Sequence, residues 1–138
     1  MADTANEELL TALARRLLKE VANPARDSAA RKVDPSTGET TFLHPAYKPL
    51  RDLDDQQRKA VLCLIDEVTI DTIAALFALL DADALRVEQD PERISVIISN
   101  GQGQPIDVAS LSDGLQGELF GETGWLEKFY RYAGHLRN

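Results

Sequence analysis

The sequence predicts an α+β fold, with four to five helices around a central apolar helix at about residues 70–80 and a small antiparallel sheet at about residues 85–108. Two observations carry this prediction. Apolar residues recur at three- and four-residue steps near the start of the chain, as in an amphipathic helix, and the pattern changes to alternation after residue 84. With 138 residues, of which 43% are hydrophobic, the chain fits a single domain over 1–138.

The first helix is predicted over residues 5–22. Thr4 and Glu7 form a capping-box pair at its start. Its apolar face is built from residues three and four positions apart, namely Leu9, Leu10, Leu13, Leu17, Leu18 and Val21. We expect Asn23 and Pro24 to end this helix, because proline disfavours the helical conformation in the residue before it.

A proline-rich connection is predicted over residues 24–52, with a turn at 34–38. Parts of it fit a short helix at 25–31 and a brief strand at 40–43. Connections this long are uncommon in a compact domain and are usually either functional or disordered. The apolar residues Phe42, Leu43, Tyr47 and Leu50 favour a segment that lies against the rest of the protein. We therefore expect the segment to be a contact surface or the cover of an active site.

Two helices are predicted after this connection. Asp52 or Asp54 is suited to cap the first, and Thr69 is suited to cap the second, at 70–80. This second helix is apolar almost all round, so it is predicted to be the most buried element. Because Thr69 lacks the glutamate of a capping box, one continuous helix over 53–81 stays open as an alternative.

An antiparallel hairpin is predicted from alternating strands at 85–89 and 94–98, joined by a turn at 90–92. An isolated hairpin is marginally stable, so we expect it to pack on the helices or to gain a third strand at 105–108.

The last part of the chain is predicted to form helices at 111–120 and 124–133, the second ending at Gly134. The second helix has a largely aromatic face made of Trp125, Leu126, Phe129, Tyr130 and Tyr132. Four glycines lie within 113–125, which indicates either tight turns and close backbone approaches or a flexible linker.

No catalytic, metal-binding or phosphate-binding motif is found, so no catalytic residue and no cofactor are predicted. The two histidines, His44 and His135, are far apart and the chain has one cysteine, which excludes structural zinc. Cys63 lies in an apolar run and is predicted to be a buried small side chain. Glu67 and Asp71 share one face of a continuous helix, and a solvated helix face explains such a pair more simply than a catalytic dyad.

The negative charge is concentrated in one part of the sequence. Residues 60–113 contain ten carboxylates and two arginines, which accounts for the whole net charge of −8. This charge argues against a nucleic-acid partner, which requires a cationic surface. A membrane span is excluded by three acids within the most apolar window, at 61–80. A cytoplasmic protein is the expectation, because the N-terminus does not resemble a signal peptide, and the usage of alanine, leucine and arginine points to a bacterial one.

The function predicted from these properties is a small acidic protein-binding module that neutralises a basic protein, as an immunity protein or an antitoxin does. The partner-binding residues are predicted to be the acids around the hairpin, which are Asp81, Asp83, Glu88, Asp90 and Glu92.

Two alternatives stay open. One is a small enzyme whose site lies under the 24–52 segment and uses His44 or Tyr47. The other is a structural or assembly subunit that uses the aromatic C-terminal helix as an interface, in which case Trp125 and Phe129 are expected to be exposed. The sequence does not determine the oligomeric state.

Overall fold

The computed structural model describes residues 4–34, 44–99, 101 and 103–132, and within these ranges it confirms the α+β fold. The five α-helices and the two strands follow one another as α1 Thr4–Arg16, α2 Asn23–Arg31, α3 Asp55–Asp83, β1 Ile97–Ser99, β2 Pro105–Asp107, α4 Leu115–Leu119 and α5 Trp125–Phe129. Short 3₁₀ helices lie at Pro45–Asp52 and Val108–Leu111. The predicted strand at 40–43 and the predicted helix end at Gly134 lie outside the described residues.

The first helix does not end at Pro24, so that prediction is wrong. A π-helical segment, Leu17–Ala22, joins α1 to α2, and the N–H of Asn23 donates to the carbonyl of Leu18, five residues back. Pro24 then lies in the first turn of α2. Proline has no backbone N–H to donate. It is tolerated in the first turn of a helix, because the N–H groups there have no acceptor within that helix. The predicted short helix at 25–31 is present as part of α2.

The long helix α3 confirms the alternative of one continuous helix. Asp54 and Gln57 form its capping box, in which Asp54 Oδ1 accepts from the N–H of Gln57 at 2.8 Å and Gln57 Oε1 accepts from the N–H of Asp54 at 3.0 Å. Thr69 does not start a new helix. Its hydroxyl donates to the carbonyl of Ile65 at 2.7 Å, which satisfies it inside the helix.

The sheet is smaller than predicted. β1 and β2 pair antiparallel, with Ile98 opposite Ile106, so the third predicted strand pairs with the end of the second. The predicted strand at 85–89 is absent. Successive turns replace it, in which the N–H of Arg86 donates to Asp83 and that of Asp90 donates to Val87.

The glycine-rich segment makes the close backbone approach that its composition indicates. A side chain at Gly124 would lie 2.4 Å from the carbonyl oxygen of Phe120, and Gly121 has a φ of +94°. These two positions let the chain turn tightly between α4 and α5, which are shorter than the predicted helices.

The hydrophobic core lies between α1, one side of α3, and the two short C-terminal helices. Leu18, Leu115 and Leu119 are fully buried within it. Phe77 of α3 meets Trp125 of α5 edge to face, with ring centroids 5.7 Å apart. Cys63, predicted to be buried, is half-buried in α3.

Candidate functional site

Among the described residues, the most unusual surface is an apolar row along α3 that faces solvent. Leu64 is 56% exposed, Val68 58%, Leu76 45% and Leu79 43%. Together with the exposed Ala75, we call these side chains the exposed stripe. A group of large aliphatic side chains left in solvent on one element is typical of a surface that contacts another macromolecule.

The position of the exposed stripe follows from helix geometry. Leu64, Val68, Ala75 and Leu79 are separated by four, seven and four residues, which returns each to the same side of a helix. At 1.5 Å per residue, this line is about 22 Å long. Phe77 points to the opposite side and is buried in the core.

Two carboxylates border the exposed stripe on one side. Glu67 and Asp71 are exposed, and neither forms a hydrogen bond or an ion pair with any residue in the described ranges. Beyond Lys59, α3 contains no lysine or arginine. The stripe is therefore bordered by negative charge that its own helix does not neutralise.

Asp81, one of the predicted partner-binding acids, is engaged inside the molecule. Its Oδ1 accepts from the N–H of Leu115 at 2.8 Å, and its Oδ2 accepts from the N–H of Gln116 at 3.0 Å. The residue before α4, in the N-cap position, is Gly114, which has no side chain to cap the helix. Asp81 supplies the missing cap from α3 and places a negative charge at the N-terminal end of α4.

Three more of the predicted acids surround Arg86. Its guanidinium lies 3.1 Å from Asp83, 3.2 Å from Asp90 and 3.6 Å from Glu92. Asp83 is 2% exposed and also accepts from the N–H of Ile94 at 2.9 Å. This cluster fixes the turns that replace the predicted strand at 85–89.

Glu88 is the member of the predicted set that makes no hydrogen bond or ion pair within the described part of the chain, and it is exposed. The carboxylate of Glu92 is also largely exposed, although it lies near Arg86. Their role in binding a partner stays a prediction. The anionic surface that Glu88 and Glu92 offer to a partner is smaller than the one predicted from all five acids.

A second group of exposed apolar side chains follows α3. Leu85 is 90% exposed, Val87 70% and Ile97 54%. They lie in the turns and at the edge of the small sheet, without the regular spacing of the exposed stripe. They widen the apolar surface at the C-terminal end of α3.

His44 and Tyr47, the predicted residues of an enzyme site, lie together at the start of the 3₁₀ helix Pro45–Asp52. His44 Nδ1 accepts from the N–H of Ala46 at 3.1 Å. The rings of His44 and Tyr47 pack edge to face, with their centroids 6.1 Å apart. Lys32 lies over the Tyr47 ring at 5.0 Å. Within the described residues His44 contacts no acid, so its imidazole acts as a helix cap.

The aromatic face of the C-terminal helix packs in the hydrophobic core. Trp125 is 4% exposed and Phe129 is half-buried, with Arg15 lying 5.6 Å from its ring centroid. The exposure that an interface through this helix requires is therefore not present at Trp125.

A buried polar cluster connects α2, α3 and the end of α5. The hydroxyl of Tyr130 donates to Oδ1 of the fully buried Asp66 at 2.8 Å, and Arg26 lies over the Tyr130 ring at 5.9 Å. Burial raises the pKa of the Tyr130 phenol, and its hydrogen bond to Asp66 adds to the rise. A raised pKa makes the Tyr130 phenol a weaker acid than an ordinary tyrosine, which suits a structural hydrogen bond better than acid–base catalysis.

A cavity of about 410 Å³ opens beside α2. Arg26, Arg31 and Arg58 line it together with Asp27 and Asp34, so the charges of the two signs nearly cancel. Arg26 pairs with Asp27 at 3.0 Å, and Arg58 Nε donates to the carbonyl of Val33 at 3.0 Å. The cavity offers no clear selection for one class of ligand.

Sequence reasoning missed the exposed stripe because it took an apolar helix to be buried on every side. Ala74 and Leu80 are indeed buried, but Leu76 and Leu79, in the same helix, are not. The shared face of Glu67 and Asp71 contained the signal, because two acids on one side of a helix mark the side that faces water.

Within the described ranges, no helix has both the length and the apolar character needed to cross a membrane, and no three His, Cys, Asp or Glu side chains are grouped to hold a metal ion. Comparison of the chain with protein-family models, with curated proteins and with solved structures finds no match.

Proposed function

We propose that this chain is a protein-binding module whose partner docks on the exposed stripe of α3 and places positive charge beside Glu67 and Asp71. The observation that carries this proposal is the row of half-exposed aliphatic side chains on a helix whose other side is buried in the core.

Burial of the exposed stripe would favour association. Complete burial of a leucine or valine side chain contributes about 1.5–3 kcal/mol, so completing the burial of a half-exposed one contributes about 1 kcal/mol. Leu64, Val68, Leu76 and Leu79 together would then contribute a few kcal/mol, which is an appreciable part of a specific binding free energy.

The charge of the chain supports a basic partner. A net charge of −8 attracts cationic proteins over distances of about a Debye length and speeds their encounter. Glu67 and Asp71 would meet the partner at the stripe, and Glu88 and Glu92 would add to the attraction near the end of α3. Charge then affects the association rate, and the stripe supplies most of the affinity.

The biological case that size and charge fit best is a bacterial cytoplasmic immunity protein or antitoxin that blocks a basic toxin. Such a pair needs tight binding between a small acidic protein and a cationic surface. A reading frame for a basic toxin-like protein beside this gene would support this narrower proposal, and its product would be the partner to test.

The test is affinity capture from the native host with mass spectrometry, using three forms of the full chain. Val68→Asp introduces a charge into the exposed stripe. Val21→Asp is the matched control, because Val21 is 59% exposed, nearly the same as Val68, but lies in the π-helical segment. The proposal expects a basic protein that binds the wild type and Val21→Asp but is lost with Val68→Asp.

Salt gives a second measurement on the same capture. Raising the ionic strength to about 1 M should weaken recovery of the partner, because screening then acts within about 3 Å. Recovery of the same proteins by Val68→Asp, or a partner without excess positive charge, would contradict the proposed function.

A further inference from the structure

Resting on the proposed function, we infer that the element of the partner that sits on the exposed stripe is an amphipathic α-helix with lysine or arginine along one flank. The inference commits to a different protein and not to a second copy of this chain. Three observations support it: the spacing of the stripe, the regularity of α3 and the distribution of charge on it.

The spacing is that of a surface which receives another helix. Half-buried Val61, exposed Thr72 and exposed Ala82 continue the line of the exposed stripe, so that residues follow at steps of three and four. The complete line is Val61, Leu64, Val68, Thr72, Ala75, Leu79 and Ala82. Its mean step of about 3.5 residues is the period with which two helices keep their apolar faces in contact.

The helix is also regular enough to match a long partner. α3 has 29 residues and contains no proline or glycine, so nothing in its sequence interrupts or kinks the line. From Val61 to Ala82 the line is about 32 Å long, which a partner helix of about 21 residues would cover. Large and small side chains alternate over its last part, at Ala75, Leu79 and Ala82, which leaves places there for the side chains of the partner to enter.

The charge is on one flank. At 100° per residue, Glu67 and Asp71 lie on one flank of the line. Leu76, the one member of the exposed stripe that is not on the line itself, lies on the other flank. A partner helix therefore needs cations on one flank, opposite the first half of the stripe. Its other flank would meet an uncharged surface.

The same charges argue against a second copy of this chain. A second α3 would bring Glu67 and Asp71 as well, and it has no lysine or arginine beyond Lys59. Pairing two such stripes would bring four carboxylates to the interface without a cation from either helix. Like charges at that distance disfavour association.

The probe for this inference is a synthetic peptide of about 21 residues, with leucines at steps of three and four and lysines along one flank. Two peptides serve as controls: a scrambled one of the same composition, and one in which glutamate replaces lysine. Binding to the full chain is measured by fluorescence anisotropy. The basic amphipathic peptide should bind at least about tenfold more tightly than either control, which corresponds to about 1.4 kcal/mol.

Variants of the chain locate the peptide. Val68→Asp should weaken binding by about tenfold, whereas the matched control Val21→Asp should change it by less than about twofold. The double variant Glu67→Lys, Asp71→Lys should lose affinity for the lysine peptide and gain affinity for the glutamate peptide. Such an exchange of preference is not expected from a general loss of structure.

Three results would overturn the inference. Equal binding of the amphipathic and scrambled peptides would show attraction by charge alone. An unchanged preference in the double lysine variant would place the peptide elsewhere. Self-association of the chain in sedimentation, abolished by Val68→Asp, would show that a second copy occupies the stripe.

The failure of this inference can be distinguished from failure of the proposed function. If a captured host protein depends on Val68 while the peptides do not bind selectively, the proposed function stands and the helical partner is wrong. If capture does not depend on Val68, the proposed function itself is wrong.

Discussion

The two sides of α3 contain the same kinds of residue in different surroundings, because one side is buried in the core and the other is exposed. On one side, Asp66 is fully buried and accepts a hydrogen bond from Tyr130, while Phe77 packs in the core. On the other side, Glu67 and Val68 are exposed, and Glu67 makes no polar contact within the part of the chain that the structure describes. Adjacent acids in one helix thus have different surroundings.

This difference shows that formal charge in a sequence is not the charge offered to a partner. Asp81 and Asp83 count toward the net charge of −8, but each is bound to groups of the same chain. Glu67 and Asp71 count equally and remain exposed. We therefore expect the engaged acids to control folding stability and the exposed acids to control binding.

The largest expected effect on stability is at Asp83. Asp83→Ala leaves Arg86 without its buried partner and the N–H of Ile94 without its acceptor, so we expect a loss of about 3 kcal/mol in the free energy of unfolding. Urea denaturation measures this loss. The control Glu88→Ala removes an exposed acid and should change stability by less than about 0.5 kcal/mol. Similar losses in both variants would remove the distinction between engaged and exposed acids.

Tyr130→Phe should have the next largest effect. It leaves Asp66 buried without its hydroxyl donor, at a cost of about 2 kcal/mol near neutral pH.

The effect of Tyr130 should also depend on pH. Because folding raises the pKa of Tyr130 above its ordinary value of about 10, its contribution is complete below that pH and declines above it, where the unfolded phenol ionises first. Denaturation of both proteins between about pH 8 and pH 11 should show the wild-type advantage shrinking at the alkaline end. An advantage that grows above pH 10 would contradict this direction.

A smaller loss is expected at Asp81. Asp81→Ala removes the cap of α4 and should cost about 1 kcal/mol, the usual value for loss of a helix cap. Asp113→Ala is the control, since Asp113 is close in sequence to α4 but is exposed and has no polar partner among the described residues. If both variants unfold at the same urea concentration, Asp81 does not act as this cap.

The smallest effect on stability is expected at Glu67. Glu67→Gln relieves repulsion from Asp71 one turn away and should raise the free energy of unfolding by about 0.3 kcal/mol. A thermal scan beside the wild type measures it. A loss above about 1 kcal/mol would mean that Glu67 has a structural contact and is not available to a partner.

Much of the fold could be predicted from the sequence, because helix caps and the spacing of apolar residues agree with how the chain packs. Asp54 marks the start of α3, and Leu10, Leu13, Leu17 and Leu18 face the core as their spacing predicts. Val21, predicted to lie on the same face, is 59% exposed, so that part of the prediction is wrong. The continuation past Pro24 was not accessible, because it depends on a π-helical segment that no residue pattern marks. The absence of a strand at 85–89 depends on Arg86 meeting Asp83 and Asp90, which alternation does not reveal.

The candidate site was harder to predict than the fold. The apolar content of α3 indicates that its side chains avoid water, but not whether this chain or another covers them. The acids near the hairpin were the predicted binding residues. In the structure, however, Asp81 accepts a hydrogen bond from α4 and Asp83 pairs with Arg86. Tertiary contacts decide which groups remain available.

Site-specific photo-crosslinking in the native host can show directly whether a partner binds at the exposed stripe of α3. A benzophenone amino acid is placed at position 68, 88 or 21, and covalent adducts are identified by mass spectrometry. If the partner docks on the exposed stripe, we expect a strong adduct with one basic protein from position 68 and none from position 21. Adducts from position 88 or 21 without one from position 68 would show that the exposed stripe of α3 is not where the partner binds.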